Sequence, residues 1–215
     1  MTTVIKAAGS LRERKKLASR ARIMDVAIKM FAQRGIQAPT VEEIAAAAEV
    51  GKGTIYNYFR SKEEIVVAFM VELEERLQAK GRRLARRRGP LASILADFAW
   101  THLRLKEPYR EFVRVFMTQV TSTPPALVPH FVEIQRSIDP PLAEFLTSLQ
   151  QRGLIRQDAD PADLVNVFKT LQVGLTAIWL ADREPYRGTR RLIQIQMRLF
   201  AEGLAPGSRR GRRNV

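Results

Sequence analysis

The sequence predicts an all-α protein: an N-terminal three-helix helix-turn-helix domain, a long fourth helix, and a C-terminal helical body, about nine helices in all. Three observations lead there. Apolar residues recur with the 3.6-residue period of helices, and strand-like alternation between hairpin turns is absent. Two capping boxes, Thr40 with Glu43 and Ser61 with Glu64, announce helix starts within one short stretch. Pro39 is the sole proline before Pro90, and ten more follow, so tight turns join the early helices and proline breaks divide the later ones.

The first helix is expected from about Leu17 to Gln33, with Ile23, Ala27 and Phe31 on one face and Gly35 at the left-handed C-cap. The second, Val41 to Ala48, packs through Ile44, Ala45 and Ala48. The third spans Lys52 to Phe59, anchored by Ile55 and Phe59 at i, i+4. The fourth runs from Ser61 to about Arg86 with Ile65, Phe69 and Leu73 inward. Beyond Gly89-Pro90, one stripe joins Leu91, Ile94, Leu95, Phe98, His102 and Leu103, and an aromatic one joins Tyr109, Phe112, Val113, Phe116, Met117 and Val120. After Pro124-Pro125, Phe131, Ile134 and Ile138 continue the pattern until Pro140-Pro141, where a break or bend is expected. Leu142 to Leu149 resume it, and Gly153 closes the helix. Asp160-Pro161, a cap followed by proline at the first helical position, opens a helix to Ala181. The last, Thr189 to Gly203, is apolar on two sides: Leu192, Ile195 and Leu199 on one, Ile193, Met197, Phe200 and Leu204 on the other.

The chain has no cysteine and two histidines among 215 residues, leaving no disulfide framework and little scope for a metal site. Its longest apolar run, Val173 to Ala181, falls short of the ~20 residues of a membrane span. The N-terminus lacks the apolar stretch and cleavage site of a signal peptide, so a cytoplasmic location is expected. The formal charge is +14, and it is unevenly placed. Residues 1–62 hold 12 Lys/Arg against 5 Asp/Glu, whereas residues 89–208 hold 13 against 12. Positive charge gathered at one end is the footprint of polyanion binding. It coincides with the helix-turn-helix, whose helix N-termini suit phosphate. Duplex DNA fits this compact motif better than single-stranded RNA, whose readers favour aromatic platforms.

Residues 17–65 resemble the DNA-binding domain of the TetR family of bacterial transcriptional regulators. The resemblance rests on AIKMF at 27–31, TVEEIAAAA at 40–48, KGTIYNYF at 52–59 and SKEEI at 61–65. One departure is clear: the family's Ala-Gly-Val-Ser turn is Ala48-Glu49-Val50-Gly51 here. The resemblance implies phosphate contacts from Thr40, Tyr56, Asn57 and Lys62, and base-edge contacts from Lys52 and Thr54. Gly53 and Tyr58 belong to the same DNA-binding segment, Tyr58 with packing as the competing role. It also implies a homodimer on a palindromic duplex, most often a repressor, and not an enzyme.

The expected organisation is a basic arm at 1–16, the helix-turn-helix domain at 17–64, a connecting helix at 65–88, a ligand-binding and dimerisation domain at 89–206, and a basic tail at 207–215. The arm can enter a minor groove or stay solvated. The two-sided last helix points to dimerisation through the last two helices. Phe98, His102, Phe112, Phe116, Met117, Phe131, Phe168 and Trp179 are the expected lining of a site for a small apolar or aromatic effector. A solid core built from the same residues, with the body serving dimerisation or a protein partner, is the alternative. No cofactor, metal or catalytic group is expected.

Overall fold

A computed structural model describes residues 11–121 and 128–205, with side chains for 12–119 and 139–205. The described residues form nine α-helices and one 3-10 turn, and no strand. They are α1 (Leu11–Arg34), α2 (Val41–Ala47), α3 (Lys52–Tyr56), α4 (Lys62–Ala85), α5 (Leu91–Lys106), the 3-10 turn Glu107–Tyr109, α6 (Arg110–Thr121), α7 (Val128–Gln151), α8 (Pro161–Ala181) and α9 (Arg187–Leu204). They divide into two compact units. The first holds α1–α3, the start of α4 and most of α6; the second holds the rest of α4, α5, most of α7, α8 and α9.

The first unit is built on Ile23, Ala27 and Phe31 of α1, Ile44 of α2 and Ile55 of α3, all wholly buried. Phe112 of α6 meets Phe69 of α4 edge-on, ring centroids 5.3 Å apart. α1 starts earlier than the apolar period suggests, so Arg12, Arg14, Lys15 and Lys16 are helical rather than an extended arm. Lysine and arginine are good helix formers, and the polar turn extends an existing helix without a new nucleus. α3 is shorter than expected, ending at Tyr56 with Asn57 as its cap. Gly35 closes α1 at φ +80, as its position requires.

In the second unit α5 packs along α9, and α8 lies against both. Phe98 stacks on Phe145 with centroids 4.0 Å apart and meets Phe168 edge-on at 5.7 Å. Asp160 caps α8 by accepting the Ala162 N–H at 2.8 Å. Gly153, at φ +70, ends α7: its own N–H reaches the Gln150 carbonyl, and the Leu154 N–H reaches that of Leu149. Pro140 and Pro141 do not break α7; the helix runs through them. Each proline removes one N–H from the ladder, and the flanking turns keep the rest. α8 is, by length and composition, apolar enough to cross a membrane, which a search for apolar runs alone does not show. Its apolar residues are accounted for differently, because Leu164, Val165, Phe168, Leu175 and Trp179 are core.

Arg110 fastens the end of α8 within this unit. Its guanidinium donates to the carbonyls of Trp179 (2.6 Å), Leu180 (3.2 Å) and Asp182 (2.6 Å), acceptors at the C-terminal end of the helix. It lies 4.6 Å over the Trp179 ring. Glu107 accepts from Tyr186 Oη at 2.6 Å and from Trp179 Nε1 at 3.2 Å.

Candidate nucleic-acid interface

Three helix N-termini carry most of the candidate residues, each prepared differently. At α2 the capping box is complete: Thr40 Oγ1 accepts the Glu43 N–H at 3.1 Å, and Glu43 Oε2 accepts the Thr40 N–H at 2.8 Å. That backbone bond, with Arg34 at 2.9 Å, holds the Glu43 carboxyl below its usual range. At α4 the box is shifted: Ser61 Oγ accepts the Glu64 N–H at 3.2 Å, but Glu64 accepts from the Arg60 N–H, one residue before the cap. At α3 the cap is Gly51 in extended conformation, with no side-chain cap bond.

The turn between α2 and α3 explains the departure from the family's glycine. The Glu49 N–H bonds to the Ala46 carbonyl and the Val50 N–H to that of Ala45, the paired closure of a left-handed C-cap. Glu49 stands at that cap with φ +53, where glycine is ordinarily favoured. Its carboxylate pairs with Arg22 of α1. The turn keeps its geometry with a non-glycine residue, and Gly51 takes no left-handed angle.

α3 turns Ile55 into the core and leaves Lys52, Gly53, Tyr56 and Asn57 exposed, with Thr54 half-buried. Phe59 behind it is buried, with the Arg20 guanidinium 5.3 Å from its ring. Tyr56 is 48% exposed and Tyr58 half-buried, so Tyr56 is the freer hydroxyl. Lys52 pairs with Glu42 of α2, and its ammonium lies 5.8 Å from the Tyr56 ring. This contact raises the Lys52 pKa and lowers that of Glu42. Lys62 donates to the carbonyls of Gln37 and, at 3.3 Å, Pro39, which brings the starts of α2 and α4 together beside Thr40.

All eight candidate DNA-contact residues therefore lie in the first unit: Thr40, Lys52, Gly53, Thr54 and Lys62 at helix N-termini, and Tyr56, Asn57 and Tyr58 at the C-terminal end of α3. Sequence reasoning missed Glu42 and the Lys62–carbonyl staple. Glu42 stood in view as a first-turn acid of α2, and its ten-residue separation from Lys52 carries no periodic signal. The candidate effector residues separate. Phe112, Phe116 and Met117 fall in the first unit, whereas Phe98, His102, Phe168 and Trp179 fall in the second. The Phe131 side chain and the 207–215 tail lie outside the described residues.

Residues 23–69 match the family described as bacterial regulatory proteins, tetR family. The chain carries the DNA-binding domain of the TetR family. It is a DNA-binding transcriptional regulator and not an enzyme. The HTH-type transcriptional regulator YvkB of Bacillus subtilis is 24% identical over 190 residues, 86% of this chain and 96% of that protein. Two solved structures share the fold of this chain. Thermus thermophilus FadR, a transcriptional repressor solved in complex with lauroyl-CoA, has a TM-score of 0.66 and 23% identity, covering 91% of this chain and 100% of that one. FadR of Bacillus subtilis, solved with stearoyl-CoA, has a TM-score of 0.68 and 21% identity, covering 86% and 98%.

Proposed function

We propose that the protein is a cytoplasmic homodimeric repressor that binds a palindromic operator and leaves it when a small, largely apolar effector enters the second unit. The observation that carries this reading is an apolar surface with no partner in one protomer. Val167, Val173 and Ile178 of α8 are 49%, 45% and 41% exposed, and Leu199 of α9 is 58% exposed. On α9 the opposite face, Ile193, Met197 and Leu204, is buried, so each side of the helix has its own apolar set. A two-fold pairing of α8 and α9 with their symmetry mates covers these residues and spaces two recognition helices. Gly174 and Ala177, exposed on α8, allow close approach.

In this reading Thr40, Tyr56, Asn57 and Lys62 position the domain on phosphates, and Lys52 and Thr54, with Gly53 beside them, meet base edges. Lys62 does so while stapled to the Gln37 and Pro39 carbonyls, since an ammonium has three donors. An effector is supported by the aromatic interior of the second unit and by two FadR neighbours solved with acyl-CoA. α4 supplies residues to both units, so a ligand that prefers one setting of α4 alters the spacing of the half-sites, ~34–36 Å apart. A coupling of this kind is typically worth 1–3 kcal/mol and acts reciprocally.

A regulator without effector is the second reading, favoured by the closeness of Phe98 to Phe145 and the full burial of Phe168 and Trp179. The test is operator selection from random duplexes, then titration of the complex with lauroyl-CoA. Release at ligand concentrations that leave a nonspecific complex intact supports the first reading; an unmoved complex with lauroyl-CoA and other lipophiles supports the second.

A further inference from the structure

We propose that the interior of the second unit recognises a lipophilic molecule bearing a neutral hydrogen-bond donor, a hydroxyl or an amide or ring N–H, which Glu74 and Gln172 accept. The inference rests on the effector-responsive reading and names the chemistry of that ligand.

Four polar side chains from three helices meet in this core: Glu74 of α4, His102 and Lys106 of α5, and Gln172 of α8, none more than 7% exposed. His102 is central. Its Nε2 lies 3.1 Å from Glu74 Oε1, and its Nδ1 lies 2.9 Å from Gln172 Nε2. An amide nitrogen can only donate, so Nδ1 accepts, and Nε2 carries the proton and donates to Glu74. The imidazole is thus neutral, in keeping with burial and Lys106, which both push its pKa down.

Two oxygens are left over. Glu74 Oε2 and Gln172 Oε1 are buried and accept no hydrogen bond. Buried acceptors without partners are rare in native interiors and call for an explanation. Both are acceptors, so the group that satisfies them must donate. Glu74 and Lys106 are buried in the same core, one acid with one base, so a cation would unbalance the cluster. An anion would be repelled by the two bare oxygens. A neutral donor remains.

A groove between α4 and α7 is lined by Gln78, Arg82, Pro141, Glu144 and Ser148, with Phe145 among its walls. Gln78 is one turn along α4 from Glu74, about 6 Å of rise, and His102 is one turn along α5 from Phe98. Phe98 stacks on Phe145, and Gly81 leaves room for the Phe98 ring, which a Cβ there would meet at 2.9 Å. In this proposal the ligand enters from that groove past the Phe145 ring.

The experiment is calorimetric titration of the full-length protein with 2-naphthol, naphthalene and 2-naphthoate, repeated on Gln172→Leu, with folding checked by circular dichroism and melting. The expected result is 2-naphthol binding at least tenfold tighter than naphthalene, with 2-naphthoate weaker than 2-naphthol. Gln172→Leu should bring 2-naphthol and naphthalene within threefold while keeping naphthalene affinity. Equal affinity of wild type for 2-naphthol and naphthalene, tightest binding of the carboxylate, or no binding by any of the three overturns the proposal, whether or not the variant folds. If lauroyl-CoA releases operator while 2-naphthol fails, the effector-responsive reading stands and this inference falls. If neither acts on protein or operator complex, both fall.

Discussion

Truncating one exposed leucine tests the dimer without disturbing the protomer. Leu199→Ala removes three methylene-sized groups, each worth about 0.8 kcal/mol on full burial. Leu199 is 58% exposed in the protomer, so complete coverage by a partner is worth about 1.4 kcal/mol beyond what the single chain already gains. A two-fold interface uses each residue twice, which doubles this to about 2.8 kcal/mol, or roughly 100-fold in the dimer dissociation constant. Leu199→Arg should act in the same direction and more strongly, because a guanidinium is then desolvated without a partner. Sedimentation equilibrium across a concentration series measures the constant, and thermal melting of the isolated protomer serves as control. Ile193→Ala, on the buried face of the same helix at 3% exposure, should instead cost about 2–5 kcal/mol of folding stability. A dissociation constant within threefold of wild type for both Leu199 variants would refute the assignment of this face to the dimer.

Other outcomes follow from the same structure. Lys62→Ala should weaken binding to every duplex about equally and flatten the logarithmic salt dependence by roughly one, whereas Lys52→Ala should relax preference at one base pair by roughly tenfold; mobility shifts at several salt concentrations on operator and scrambled duplex separate the two. Gly81→Ala should destabilise despite the better helix propensity of alanine, by about 1 kcal/mol net, because its Cβ would lie 2.9 Å from a Phe98 ring held between Phe145 and Phe168; denaturant unfolding reads the sign. Acidification should destabilise in two phases. Burial first, then Lys106, puts the His102 pKa below its ordinary 6.5, so the unfolded chain takes up a proton the folded chain refuses, and stability falls as pH drops below about 6.5. Burial pushes Glu74 up, but its contacts with His102 and Lys106 outweigh that and hold the carboxyl below its ordinary range, adding a second loss at lower pH. Each phase has a slope of at most about 1.4 kcal/mol per pH unit, and melting of His102→Gln should lack the first.

Local chemistry made much of this protein legible in its residues alone. Helix starts are written in single side chains: Thr40 with Glu43, Ser61, and Asp160 before Pro161 all sit where the helices begin, because a cap satisfies N–H groups two or three residues away. The two apolar sides of α9 were readable for the same reason, since a 3.6-residue period needs no knowledge of the partner surface. What the residues could not disclose depends on groups far apart in the chain. The end of α8 depends on Arg110, about seventy positions away, whose guanidinium gathers its last carbonyls. The aromatic stripe of Phe112 and Phe116 looked continuous in kind with Phe98 and Phe168, yet the fold assigns them to different units. Pro140 and Pro141 read as a break or bend because their missing N–H groups are local, whereas α7 persists through the cooperative turns on either side. Most of all, His102 was visible as a polar residue on an apolar face, but its neutral tautomer, its two partners and the two oxygens left bare beside them exist only where α4, α5 and α8 converge. Hydrogen bonding in a buried core is decided by which donors and acceptors meet in space, and sequence separation does not encode that.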